Sequence, residues 1–449
     1  MEKKPKKKQA LWDQQVSRRD FTRIASTFGL TSTLLALSGF ASAGVKPSPQ
    51  MLAKAAEATQ KERYNTNPKI KWRYGAAGHS VETTWVAKVG SVQFVREIEE
   101  MTDGEIRIEH MGSNSICGEM TCIQKCIQGI VDFYLSSTQN ASTIAIYHNI
   151  LDFGLLWPSR AALYSFAFDH RSEKLWREPM RRKYGVEMLF GDYGLRGFFM
   201  SKTKYGKGTP RLDTLESIKG AKIRTTGTAF GRLSMELMGV NPVPISFEEV
   251  VDAVRQGAID GAEAWEIPFS MIHFTHYTGQ YLNLRYCSGN WVTGMRAKSL
   301  EKIPDRLKEK VMEAAYVTQC TVLGKEEASV YIKAGAGELE EPTVYSEHWR
   351  SGVRNIQWSK EEMEKLAKKI SPKYNPDPWK DWRKRMNEIY GKGDIYEEMY
   401  SIAREVPVGS YAIDVQPHRW WKPNPAWWEK GVWKRGRGFF VEKHEKRAI

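Results

Sequence analysis

The segment GAKIRTTGTAFGRLSMELMGVNPVPIS, residues 220–246, decides how the chain is read. Ile223 and Arg224 close a short β-like run, and Thr225, Thr226 and Gly227 make a turn. Phe230, Leu233, Leu237 and Met238 then recur at helical spacing, and Gly239 stops the helix. A strand, a tight turn and a helix in that order belong to an α/β fold. They put Arg224 at the carboxyl end of its strand, where open α/β sheets bind ligands. The planar guanidinium fork suits a carboxylate, which it can hold by two parallel hydrogen bonds. An internal ion pair with a nearby Asp or Glu fits the spacing equally well.

A second pattern extends the reading to the whole chain. GEMTCIQKCIQGIVDFYLSS (118–137) and EEVVDAVRQGAIDGAEA (248–264) share a plan. In each, a helix ends at Gln-Gly (Gln128-Gly129, Gln256-Gly257), and an Asp follows three positions after the Gly (Asp132, Asp260). Ser246 and Glu249 have the spacing of a capping box for the second helix. Upstream, IKWRYGAAG, a helix with Val89, Val92, Val95, Ile98 and Met101 on one stripe, and EIRIEHM give β-α-β. The expected architecture is two α/β lobes with mostly parallel sheets, a hinge, and a ligand cleft between the lobes. Residues 69–194 with about 286–325 form lobe I. Residues 195–285 with about 326–400 form lobe II.

The 449 residues are enough for two domains with proper cores. The formal net charge is +14, but residues 1–43 hold eight Lys/Arg against three Asp/Glu. Those residues read as an export leader: a basic start, the apolar stretch IASTFGLTSTLLALSGF, and ASAG for cleavage after Ala43. Arg18-Arg19 in SRRDF is the twin-arginine form, so a periplasmic location is expected. The apolar stretch is short for a membrane span, and no other segment could cross one. Residues 44–68 read as a linker. Of the five cysteines, Cys122 and Cys126 lie four apart on one helix, which suits no disulfide. No CxxC or His pattern suggests a metal. Small buried thiols are expected, with a Cys117–Cys122 bridge open in an oxidising compartment.

At this point a family resemblance can be stated. LESIKGAKIRTTGTAFGRLSMELMGVNPVPISFEEVVDAVRQGAIDGAEA (215–264) resembles the core of the extracytoplasmic solute-binding proteins of TRAP transporters, the DctP-like group. FVREIEEMTDGEIRIEHMGSNSICGEMTCIQKCIQGIVDF (94–133), YGLRGFFMSKT (193–203) and NIQWSKEEMEKLAKKI (355–370) match further family segments in order. The resemblance covers about residues 69–390. It implies a binding protein rather than an enzyme. Such a protein captures an organic acid outside the cytoplasmic membrane, closes over it, and delivers it to a sodium-driven permease. It also implies that Arg224 pairs with the ligand carboxylate, that Arg196 lies beside the ligand, and that Glu263 lines the cleft. Many members carry Asn after that Glu; this chain has Ala264, followed by Trp265. A keto-acid subgroup uses an aromatic residue and a Glu here to hold a metal-bound ligand, which AEAW fits in part. Glu263 is therefore the expected ligand if a metal accompanies the acid; no other cofactor is expected. A first-lobe contact falls near Ser137.

Five further positions are candidates from their place in the chain. His79, after YGAAG, would sit at the end of the first strand. Asn290 and Trp291 in SGNWVTG would face the hinge side of the cleft; Gln139 and Tyr147 are weaker candidates. The tail 401–449 is a basic, Trp-rich arm outside the resemblance. Its occupants are open: the lobes, a second copy in a homodimer, a permease or lipid headgroups. An exported protein is not expected to meet nucleic acid. Two other functions remain in view, a ligand-sensing subunit for a membrane receptor and an exported cofactor-bearing enzyme. Against the enzyme, no nucleophile elbow, phosphate loop or HExxH is present.

Overall fold

The structure, a computed structural model, describes residues 67–77, 90–335, 340–407 and 409–423. These fall into two compact units. The described part of the smaller is residues 67–71 and 98–107; the larger takes 72–97 and the chain from 108 onward. Within the smaller unit, Lys69 pairs with Glu105 at 3.4 Å, and Asp103 and Gly104 adopt left-handed φ of 51° and 74°. Those two residues end the helix Ser91–Met101, as the Asp-Gly dipeptide suggests.

Among the described residues the strands, in chain order, are β1 Ile70–Ala76, β2 Ile106–Met111, β3 Phe133–Ser137, β4 Val186–Leu195, β5 Gly197–Ser201, β6 Lys222–Thr225, β7 Asn241–Pro244, β8 Gly261–Ala264, β9 Thr278–Leu282, β10 Ser288–Arg296 and β11 Arg354–Ile356. One sheet has the order β2-β1-β3-β10-β4, and the other β11-β9-β5-β8-β6-β7. β1 and β3 are parallel, and so are β6 and β7, β6 and β8, and β9 and β11. Each sheet holds one strand running against its partners: β10 beside β3 and β4, and β5 beside β8 and β9. The sheets are thus mostly parallel, as the sequence suggests.

The chain passes between the sheets twice in this region. It leaves β4 and enters β5 through Arg196, and it returns from β9 to β10 through residues 283–287. The two passages are bonded to each other. Arg196 N–H donates to Cys287 O at 2.9 Å, and Tyr286 N–H to Arg196 O at 3.2 Å. The first sheet packs Tyr74, Phe94, Phe133 and Phe190 as an aromatic cluster. The second buries Ile218, Ile223, Met235, Leu282, Ile356 and Leu366. Each such side chain contributes about 1.5–3 kcal/mol by leaving water.

The repeated Gly-x-x-Asp has a shared structural cause. Asp132 N–H donates to Arg73 O at 2.8 Å, and its carboxylate accepts from Arg73 N–H at 2.9 Å. Asp260 does the same with Lys222, at 2.7 and 2.9 Å. Each Asp therefore seats its strand, β3 or β8, against the first parallel strand of its sheet. The two segments share this corner in structure as they share its Gly-x-x-Asp in sequence.

Some expectations need correcting. The helix after Ser246 begins at Val250, with Glu249 at its N-cap position. Ser246 Oγ instead bonds the Glu249 carboxylate at 2.8 Å, so no capping box forms. Cys117 and Cys122 form a disulfide, while Cys126 and Cys287 are buried thiols. In the tail, Trp420 is buried with Arg177 stacked on its ring at 4.5 Å, and Arg419 pairs with Glu313 on the helix Asp305–Ala328. Trp427, Trp428 and Trp433, the leader 1–43 and the linker to residue 66 lie outside the described residues. No helix among the described residues is long and apolar enough to cross a membrane.

Asp132→Ala and Asp260→Ala should each lower stability by about 1.5–3 kcal/mol, the range for hydrogen bonds to a charged group. Urea denaturation measures this. No loss in either would mean that strand pairing alone sets the two corners.

Candidate functional site

The carboxyl ends of β3, β6 and β8 converge on one cavity of about 20 Å³. Glu119, Ser137 and Asn140 line it from the first sheet's side, and Arg224, Thr226, Phe247, Ala264, Trp265 and Pro268 from the second's. Arg196 and Trp291, at the crossing strands, complete the wall. That volume holds a water rather than an organic acid. Glu119, Asn140, Thr226 and Phe247 also border a groove of about 440 Å³ that opens outward.

Arg224 occupies the third position of β6 and is 2% exposed. Its one hydrogen bond among the described residues runs from Nε to Ile245 O, at 2.8 Å. No described carboxylate lies within ion-pair distance of it, so the internal ion pair that the spacing allowed does not form. The terminal nitrogens are left to the cavity. Burial, and next the charge of Arg196, pull its pKa down from 12.5 to about 9.

Arg196 is handled differently. It is ion-paired with the fully buried Glu263, donates from Nε to Ser288 O at 3.1 Å and from Nη2 to Gln139 Oε1 at 3.2 Å. Its guanidinium lies 5.3 Å from the Trp265 ring centroid. The second Glu263 oxygen accepts from Thr226 N–H at 2.9 Å, which fixes the turn after β6. Trp265 stacks edge-on to Trp291 at 5.2 Å. Gly194 and Gly289 flank the Trp265 indole so closely that a Cβ on either would strike its ring. Trp265 Nε1 and Thr226 Oγ1 are buried without a hydrogen-bond partner.

Two asparagines tie the sheets' loops together across the cleft. Asn140 Oδ1 accepts from Gly227 N–H at 3.2 Å. Asn149 Oδ1 accepts from Thr228 Oγ1, Ala229 N–H and Phe230 N–H, at the start of the helix Ala229–Met238. These bonds satisfy free N–H groups of that helix from the opposite side.

Glu119 is a site residue that sequence reasoning missed. Its carboxylate accepts from Ser137 N–H at 2.8 Å and Asn140 Nδ2 at 3.3 Å, and burial pushes its pKa up. The available signal was its place between Cys117 and Cys122: the disulfide closes the loop that presents it. Asn140 and Thr226 also went unread. Ser137 lines the cavity and caps the short helix Thr138–Ala141. Asn290 is turned away, its amide donating to Thr138 Oγ1 and Ser288 Oγ, while its neighbour Trp291 lines the wall. Gln139 belongs to the network under Arg196, and Tyr147 bonds Leu175 O. His79 lies outside the described residues.

The sequence profile of the bacterial extracellular solute-binding proteins, family 7 (DctP), matches residues 77–375. The chain is 21% identical over 186 residues to the 2,3-diketo-L-gulonate-binding periplasmic protein of Escherichia coli, 41% of this chain and 54% of that one. Its matches to the first curated relatives span 47–65% of their length. A TRAP periplasmic solute-binding protein of Anaerococcus prevotii, solved with D-glucuronate, superposes with a TM-score of 0.62. It is 18% identical, over 75% of this chain and 99% of that one. A TRAP protein of Shewanella oneidensis, solved with succinate, gives 0.60 at 15% identity, over 75% and 100%. At these identities the likeness is one of fold.

Glu263→Ala should destabilise the protein by about 3–5 kcal/mol, because it leaves the buried Arg196 unpaired. Chemical denaturation without added ligand checks this. A loss under about 1 kcal/mol, the range of exposed pairs, would show that the pair is not a buried one in solution.

Proposed function

The chain belongs to the bacterial extracellular solute-binding proteins of family 7, and from that premise we propose that it is a TRAP-type receptor for an organic acid. In this reading the acid's carboxylate is held in the cavity between the two sheets. The observation that carries it is the buried guanidinium of Arg224, whose terminal nitrogens have no partner among the described residues. A carboxylate would supply both missing acceptors at once and offset the cost of burying the charge.

The rest of the wall suits a small polar acid. Trp265 Nε1 and Thr226 Oγ1 offer unused hydrogen bonds. Glu119 offers a carboxyl group to a hydroxyl or amino group at the far end, and Phe247, Trp265 and Trp291 supply apolar faces. The relatives solved with D-glucuronate and succinate support this class of ligand. The cavity's small volume means that the lobes must part to admit a ligand. Closing over it removes water and strengthens the Arg224 pairing, so the acid favours the closed form. The receptor would work in the periplasm after twin-arginine export and deliver its acid to a sodium-driven TRAP permease. It binds rather than transforms its ligand, and needs no resident cofactor.

Calorimetric titration of an acid that binds the parent chain tests the proposal. Arg224→Ala should cost about 2–5 kcal/mol of binding, as for truncating one partner of a buried charge pair. Arg224→Lys should also bind poorly, since a point charge does not reproduce the fork. Normal binding by the Lys variant would contradict the role assigned to Arg224.

The pH dependence follows from the lowered pKa. The cation that the acid needs is present below about 9 and is lost above it. Affinity should stay level from neutral pH to about 8, then fall up to about tenfold per pH unit beyond 9. Affinity unchanged to pH 11 would mean that Arg224 keeps its charge throughout that range and that burial does not lower its pKa in this way.

A further inference from the structure

Away from the cavity, on the second sheet's side, lies a cluster that acid binding does not use. His273, His276 and Glu347 each offer one ligand atom, and the three atoms lie within 4.8 Å of one another. We propose that they form a surface site for a divalent transition metal of the zinc type.

The geometry fits a single ion. His273 Nδ1 and His276 Nε2 are each 3.5 Å from the same oxygen, Glu347 Oε1. Zinc holds nitrogen and carboxylate ligands at about 2.0–2.1 Å, so two ligands on one tetrahedral ion stand roughly 3.3–3.4 Å apart. The two His–Glu separations need to shift by only a few tenths of an ångström, while the two histidine nitrogens, within 4.8 Å of each other, would close by up to about 1.4 Å, which their exposed side chains allow. The two imidazoles are stacked, 17° from parallel with centroids 5.6 Å apart, and both side chains are well exposed, at 70% and 61%. His273 reaches this position through a left-handed backbone, with φ of 55°.

Glu347 is the fixed member. Its side chain is only 8% exposed. Arg350 Nη2 donates to Oε2 at 3.2 Å, and Thr275 Oγ1 to Oε1 at 3.0 Å. Each carboxylate oxygen has two lone pairs, so Oε1 keeps one for an ion. Arg350 and Thr275 would act as the outer partners that orient a metal-binding carboxylate.

The donor set selects the metal class. Two imidazoles and one carboxylate suit Zn²⁺ or its neighbours rather than Ca²⁺ or Mg²⁺, which take oxygen ligands. Three protein ligands leave a fourth position for water. The ion would join the turn Phe274–Tyr277 to the helix Glu347–Ser351, segments far apart in sequence. None of the three residues lines the cavity, so the metal would stabilise this side of the protein without contributing to acid recognition.

The test is a calorimetric titration of Zn²⁺ into the full chain, free of any tag and stripped of metal. One equivalent should bind and raise the melting temperature. His276→Gln should weaken binding roughly tenfold or more, at least as much as the loss of an outer partner does. The His273→Gln/His276→Gln pair should abolish it. Both histidines are exposed, so these variants should fold, which circular dichroism verifies. Glu347→Gln provides a second arm if either His variant proves unstable. No Zn²⁺ uptake, or uptake as tight in the double His variant as in the parent, would overturn the assignment.

Discussion

Two guanidinium groups are buried in one cavity, and only one of them is given a carboxylate. Arg196 has Glu263, a carbonyl, an amide oxygen and an indole face; Arg224 has one carbonyl. A buried cation without a counter-charge is costly, and proteins rarely keep one unless something else supplies the charge. Much of the surrounding structure bears on this imbalance. Arg196 takes up the buried Glu263, and Glu263 also fixes the turn that follows Arg224. Glu119, the acid on the cavity wall, is held by Ser137 and Asn140, and burial pushes its pKa up.

The scaffold makes that arrangement possible by keeping the side chains where strand ends meet. The Asp132 and Asp260 corners set β3 and β8 in equivalent places in their sheets. Arg196 sits where the chain passes from one sheet to the other, so the pair it makes with Glu263 is anchored at the crossover. The disulfide from Cys117 to Cys122 closes a six-residue loop around Glu119. Asn140 and Asn149 bridge the two sides with hydrogen bonds that would have to break if the lobes part.

Much of this was legible in the sequence, for physical reasons. Strand, turn and helix periodicities placed Arg224 at a strand end, and the doubled helix–Gln-Gly–strand unit announced two similar sheets. Arg196, Glu263 and Trp265 came only through resemblance to a family, because nothing in their local spacing shows that they meet. Glu119 was hidden because its partners, Ser137 and Asn140, come from another segment. Asn290 illustrates the opposite failure. Asn290 and Trp291 are both expected on the hinge side of the cleft, but alternation along a strand sends adjacent side chains to opposite faces, and Trp291 takes the cavity side. Ser246 and Glu249 had the right spacing for a cap, but the helix starts four residues after the serine, so the two side chains bond each other.

The most direct test of the central claim compares an acid with its own uncharged amide. The melting temperature of the full chain would be followed against succinate and D-glucuronate and against the corresponding carboxamides. Ligand at a hundredfold excess over its dissociation constant adds about 2.7 kcal/mol of stability, which a melting curve resolves. A clear upward shift is expected with at least one acid and none with its amide, because only the carboxylate carries the charge that Arg224 lacks. Equal shifts with acid and amide would show that binding does not depend on that charge, and would contradict the account.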